Sequence, residues 1–150
     1  MGKQKVEAFA HSDAPREEVW RLVSDASGWS RWGGWTETKL EREGSPPPDG
    51  VGAIRVLTSQ TRRPIVSREE VTEYEPPSRF AYKLLSSGLP LRNYNASITL
   101  TQADMGGTDI TWRSEFDSQV PLTGGFFRRA LQKFIQDTAE RLAREAERPK

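Results

Sequence analysis

The sequence predicts an α+β domain: a curved antiparallel sheet covered by one long C-terminal helix. Three observations predict it. Apolar residues recur at helical spacing near the N-terminus and again at the C-terminal end, while the long middle of the chain alternates with the period of a strand. Helices and strands are therefore segregated, as the α+β class requires. The closing segment, "PLTGGFFRRALQKFIQDTAERLAREAER", is amphipathic over about 25 residues, roughly 37 Å at 1.5 Å per residue, enough to lie across a whole sheet.

The elements follow in order. "KVEAFAHS" reads as the first strand. "APREEVWRLVSD" reads as a helix, with Pro15 at the first helical position, where its missing N–H is not needed. Glu17 and Glu18 favour the helix dipole in its first turn, and Val19, Trp20, Val23 and Ala26 form its inner face. In "SGWSRWGGW", Trp29 and Trp32 stand three apart, so one short helical turn points both the same way. Gly33 and Gly34 then stop the helix before the second strand. "EGSPPPDGVG" is a turn by composition. "AIRVLTS", "PIVSREEVTEY", "RFAYKLL", "LRNYNASITLTQ" and "ITWRSEF" complete seven strands, with "EPPS", "SSGLP" and "DMGGTD" between them. Phe80, Tyr82 and Leu84 share a face, as do Ile98 and Leu100, and Ile110, Trp112 and Phe116. On the last helix the apolar stripe is Phe127, Leu131, Phe134, Ile135, Thr138 and Leu142. Arg128, Arg129 and Lys133 fall on its wet face.

Composition narrows the function. The 150 residues suit one domain, 1–150, able to bury roughly 68–70% of its unfolded surface. Apolar residues make up 35% and charged residues 29%, and no run reaches the ~18 apolar residues of a membrane span. Integral membrane association is not expected. The opening "MGKQKVEAFAHSD" lacks the apolar core of a signal peptide, so cytoplasmic residence is the expectation. Twenty-two basic against 21 acidic residues leave a formal charge of +1, which argues against nucleic acid as partner. With no cysteine and one histidine, no metal site and no cofactor are expected. "GGWTETK" and "LTGGFFRR" lack the strand–loop–lysine context of a phosphate loop.

Candidate functional residues are the polar groups on inward positions. Counting back from Leu100 in steps of two gives Ile98, Ala96, Tyr94 and Arg92. Val71 and Glu69 share the inner face of their strand, and Trp112 and Ser114 that of the last. A buried arginine needs an acidic or ligand partner, and Glu69 is the candidate for Arg92. Two alternatives stay open: either side chain lies at a sheet rim, or a β-bulge turns it outward. An inward Arg92 suits a carboxylate, an enolate or a polarised carbonyl, with Tyr94 to orient it or donate a proton. His11 is the sole histidine, but no Ser or Asp motif marks a triad around it. Among the tryptophans, Trp20, Trp29 and Trp32 read as core; Trp35, past the glycine pair, and Trp112 read as cavity-facing.

"APREEVWRLVSD", "GWSRWGGW", "DGVGAIRV", "REEVTEYEPPSRFAY", "GLPLRNY", "GGTDITWRSEF" and the closing helix, in that order over about residues 5–145, resemble the START-like, Bet v 1-like SRPBCC superfamily, in its bacterial polyketide cyclase/dehydrase-like branch. The resemblance implies a helix-grip fold: a seven-stranded curved antiparallel sheet around the long C-terminal helix, with two short helices between strands 1 and 2. It also implies a cavity between sheet and helix for a hydrophobic ligand, lipid-, polyketide- or aromatic-like. Residues expected to contact that ligand are Trp35, Glu69, Tyr82, Arg92, Tyr94, Trp112, Phe127 and Leu131. An alternative is a cyclase or dehydratase using Arg92, Tyr94 and Glu69; another is a protein-partner module with no cavity. A monomer or homodimer is expected. "SGLP" (87–90) is similar to the gate loop of plant abscisic acid receptors, although Leu91 follows where those carry alanine, and it implies a loop over the cavity mouth.

Overall fold

The computed structural model describes residues 3–120 and 122–149. Its elements are β1 (Gln4–Ser12), α1 (Arg16–Ser24), a 3-10 turn (Ala26–Gly28), α2 (Trp29–Trp32), β2 (Trp35–Arg42), β3 (Ile54–Ser59), β4 (Val66–Glu75), β5 (Arg79–Ser87), β6 (Leu91–Gln102), β7 (Thr108–Ser118) and α3 (Gly124–Ala146). The strands form one sheet in the order β1-β7-β6-β5-β4-β3-β2, every neighbouring pair antiparallel. The chain therefore leaves β1 at one edge, crosses to the far edge through α1 and α2, and returns strand by strand to β7 beside β1. This is the helix-grip architecture.

Local chemistry accounts for the helix ends. Pro15 stands at the N-cap of α1 (φ −66°, ψ 154°), one residue earlier than the sequence suggests. Its ring fixes an extended entry, and its carbonyl accepts from Glu18 and Val19. Val19, Trp20 and Val23 are buried, so the apolar face of α1 docks as its spacing requires.

The stripe of α3 divides in two. Ile135, Thr138, Ala139, Leu142, Ala143 and Ala146 are buried, the alanines letting the helix lie close to β1 and β7. Phe127 and Leu131 are only partly buried and Phe134 is exposed. These three sit where the helix stands away from the sheet, and the space beneath them is the cavity described below. One edge of the sheet is closed by the same helix. Gln136 donates to the Phe9 carbonyl at 2.8 Å and accepts from the Phe9 N–H at 3.3 Å, and Gln132 donates to the Glu7 carbonyl at 2.8 Å. Two side-chain amides thus occupy backbone groups that an edge strand otherwise offers to any passing strand.

Candidate functional site: the cavity under the terminal helix

A cavity of about 380 Å³ lies between the first half of α3 and the concave face of the sheet. Its walls are apolar: Trp35 and Leu57 from β2 and β3, Leu84 from β5, Leu91 from β6, Trp112 from β7, and Phe127, Leu131 and Ile135 from α3. Strand alternation puts these residues on one face, and the curl of the sheet turns that face toward the helix. A second hollow of about 920 Å³ lies on the opposite, outer face, among Glu7, Glu73, Arg79 and Arg113. Its charges pair with each other, Arg79 with Glu73 and Arg113 with Glu7, so the more apolar cavity under α3 is the better site for a ligand.

Glu69, Tyr82 and Tyr94 are the titratable groups that β4, β5 and β6 bring to the cavity wall, beside the hydroxyls of Ser67 and Ser87. Burial pushes both phenols above their ordinary pKa, with the Glu69 carboxylate adding to the effect, so both stay protonated at neutral pH. Trp112 Nε1 donates to Tyr82 Oη at 3.2 Å, which leaves the Tyr82 hydroxyl hydrogen to meet another acceptor. Burial also raises the Glu69 carboxyl, and the neighbouring Arg55 guanidinium opposes that rise.

The partner of Glu69 is Arg55, its cross-strand neighbour on β3. Arg55 Nη2 donates to Glu69 Oε1 at 3.2 Å. The arginine is 1% exposed, and its guanidinium carbon lies 4.0 Å from the Trp29 ring centroid, 5.0 Å from that of Phe80 and 5.5 Å from that of Tyr82. Its Nε and Nη1 have no hydrogen-bond partner among the described residues. The aromatic faces take their place as a cation–π cage. The ion pair thus holds a carboxylate at the cavity wall while the cation stays behind it, outside the lining.

Sequence reasoning gave this role to Arg92, and the structure corrects it. The alternation counted back from Leu100 holds through Ile98, Ala96 and Tyr94, all buried. It breaks at a β-bulge between Arg92 and Asn95, where Asn93 adopts φ 54°. The bulge turns Arg92 to solvent and puts Leu91 on the cavity side. Asn tolerates the left-handed conformation through its short polar side chain, and Asn93 Nδ2 donates to Asp117 at 3.0 Å. Trp35, Glu69, Tyr82, Tyr94, Trp112, Phe127 and Leu131 all border the cavity. His11 lies elsewhere, half-exposed between Asp13 and Asp109. Arg55 was missed because "AIRVLTS" alternates ambiguously: Ile54 and Leu57 are both buried yet lie on opposite faces. Taking Leu57 as inward would have placed Arg55 beside it.

The tryptophan cluster is one packed unit with one cavity-facing member. Trp29 is fully buried, its Nε1 donates to the Val23 carbonyl at 2.9 Å, and its ring lies 5.4 Å from Trp32, 5.2 Å from Trp35 and 5.7 Å from Trp112. Trp35 alone of the four N-terminal tryptophans reaches the lining. Gly33 makes this possible: a Cβ there would collide with the Trp35 ring. Ser87, the last residue of β5, and Leu89, both from "SGLP", border the cavity, as do Thr61 and Ile65 from the β3–β4 connection and Phe126 from α3.

A family model described as polyketide cyclase / dehydrase and lipid transport matches residues 3–147, and the chain belongs to that family. Among solved structures it is similar to a START superfamily protein from Mycobacterium smegmatis (TM-score 0.83, 12% identity, 96% of this chain and 97% of that one). It is also similar to the di-domain ARO/CYC StfQ from the steffimycin biosynthetic pathway (TM-score 0.79, 13% identity, 95% of this chain and 50% of that one). At such identities the likeness is one of fold. Uncharacterised proteins of Mycobacterium tuberculosis and Mycobacterium bovis are 30% identical over 96 residues, 64% of this chain and 55% of theirs. The chain thus spans about half the length of the curated relatives it matches.

Proposed function

We propose that this protein binds a small, mainly hydrophobic molecule, aromatic or polyketide-like, with one polar end, between its sheet and α3. The observation that carries the reading is the cavity of about 380 Å³, apolar on most sides and polar where Glu69, Tyr82 and Tyr94 meet. That size lies at the lower end of small-molecule sites, about 300–1,000 Å³, and favours a compact ring system over a diacyl lipid. The apolar walls supply affinity, and the carboxylate and phenols select a ligand whose polar end both donates and accepts hydrogen bonds. A module that only binds protein partners needs no such space.

The test uses the neutral apolar fluorophore N-phenyl-1-naphthylamine. The full chain should bind it with enhanced fluorescence, and Leu131→Trp, which fills the cavity, should abolish the signal while circular dichroism stays that of the parent. Unchanged binding in Leu131→Trp contradicts the reading.

A second reading is favoured by one observation: a burial-raised carboxyl, Glu69, shares the cavity with two protonated phenols. That pairing is what an enolising cyclase or dehydratase requires, a base to take a proton and acids to hold the developing oxyanion. Turnover of a cyclisable poly-β-ketone surrogate, lost in Glu69→Gln and Tyr94→Phe with binding retained, supports it; no turnover by the parent chain leaves the binding reading alone.

A further inference from the structure

The mouth of the cavity differs from the rest of the surface in both charge and polarity. Three stretches frame it: residues 60–66 from the end of β3 to the start of β4, 86–93 across the β5–β6 turn, and 118–120 with 122–130, which run from the end of β7 into the first turns of α3. Together they hold five arginines, Arg62, Arg63, Arg92, Arg128 and Arg129, against one neighbouring carboxylate, Asp117, which stands across from Arg92 and accepts from Asn93. Elsewhere the surface arginines are largely neutralised: Arg42, Arg68, Arg79 and Arg113 each reach a carboxylate. None of the five at the mouth forms an ion pair among the described residues. The chain as a whole carries only +1, so the mouth is a positive pole on a near-neutral protein.

The same rim exposes apolar side chains. Leu122 is fully exposed, Phe126 is 71% exposed, and Val66 and Val120 are about half-exposed. Leu122 is held outward in the left-handed region (φ 68°), uncommon for a bulky residue, so the turn presents it to solvent at a cost in backbone strain. The N-terminal end of the 23-residue α3 opens onto this rim and adds its positive dipole.

We propose that the cavity mouth docks on an anionic lipid bilayer, with Leu122 and Phe126 entering the interfacial region and the arginines against acidic headgroups. Protruding apolar residues ringed by cations that form no ion pair complement such a surface in both respects. An acidic protein partner fits the charge but gives the exposed Leu122 no apolar phase. Docked in this way, the opening faces the membrane, so a poorly water-soluble ligand enters or leaves without crossing bulk water. The inference rests on the cavity being a ligand site, and the two are tested by separate readouts.

The experiment is cosedimentation of the full chain with vesicles of phosphatidylcholine alone or with added phosphatidylglycerol, at low and high salt. Binding is expected only with phosphatidylglycerol and should weaken as salt rises. The triple variant R62Q/R63Q/R129Q, which spares the cavity lining, should lower partitioning about a hundredfold, roughly fivefold per arginine. Leu122→Ser should also weaken it. Naphthylamine binding in vesicle-free solution should be unchanged in every variant, which shows that they fold. Equal binding to both vesicle types, or parent-like partitioning of the triple variant, overturns the proposal. Vesicle binding by a parent chain that fails to bind the naphthylamine refutes the cavity reading instead. A lipid-free dimer lost in Leu122→Ser, with vesicles left unbound, assigns the face to a second copy and also overturns the proposal.

Discussion

Arg55 and Glu69 sit directly across from each other on β3 and β4, 3.2 Å apart, and this pair sets the polarity of the cavity wall. Removing one partner leaves the other buried and uncompensated. Arg55→Met should therefore cost about 3–5 kcal/mol in urea unfolding, whereas the double replacement Arg55→Met with Glu69→Leu should recover much of it. Additive losses in this cycle would show that the two residues are not coupled.

Gly33 and Trp35 are linked by lack of space. Gly33→Ala drives a methyl group into the indole, so Trp35 must move into the cavity or out of the cluster. A loss of about 1–3 kcal/mol in stability is expected, together with severalfold weaker naphthylamine binding in a fluorescence titration. A fully stable variant with parent-like affinity would show that the ring relaxes without cost.

The edge of β1 is guarded by glutamines. In Gln132→Ala with Gln136→Ala, about 1 kcal/mol should be lost for each hydrogen-bonding side chain. The Phe9 amide should exchange its hydrogen faster than in the parent, as measured by hydrogen–deuterium exchange. Unchanged protection at Phe9 contradicts the capping role. More aggregation on storage is expected as well, because the edge is then open.

His11 offers a clean titration, being the only histidine. Its hydrogen bond to Asp109, 3.0 Å, raises its pKa above the ordinary 6.5, with Asp13 adding to the rise. A cation favoured in the folded state stabilises fully below the unfolded pKa, and that contribution fades as pH rises through the folded value. The imidazole proton resonances should therefore titrate with a midpoint above 6.5, and Asp109→Asn should bring it down. A midpoint at or below 6.5 in the parent would show that the β1–β7 bridge does not form.

Much of this molecule is legible in its sequence, for identifiable reasons. Seven strands, two short helices and the long α3 follow from periodicity and glycine–proline punctuation, which act locally. Seven of the eight residues named for the cavity border it, because alternation from a securely buried anchor such as Leu100 fixes a face. Arg92 fails where the locality of the rule fails: one residue, Asn93 at φ 54°, inverts everything before it, and no composition signal marks a bulge in "LRNYN". Arg55 stays hidden for the opposite reason. Ile54 and Leu57 offer two competing faces, and only the pairing with Glu69 across β4 decides between them. The split of the α3 stripe into a packed half and a cavity half is a matter of how far the helix stands from the sheet, which depends on the whole sheet's curl.

The central claim is that the space beneath α3 receives a guest. A crystal structure of the full chain grown with N-phenyl-1-naphthylamine tests it most directly. The account predicts the naphthalene between Trp35, Leu131 and Trp112, with its amine toward Glu69 or the phenols. Probe bound only on the outer surface, with α3 collapsed onto the sheet and no room beneath it, would contradict the account.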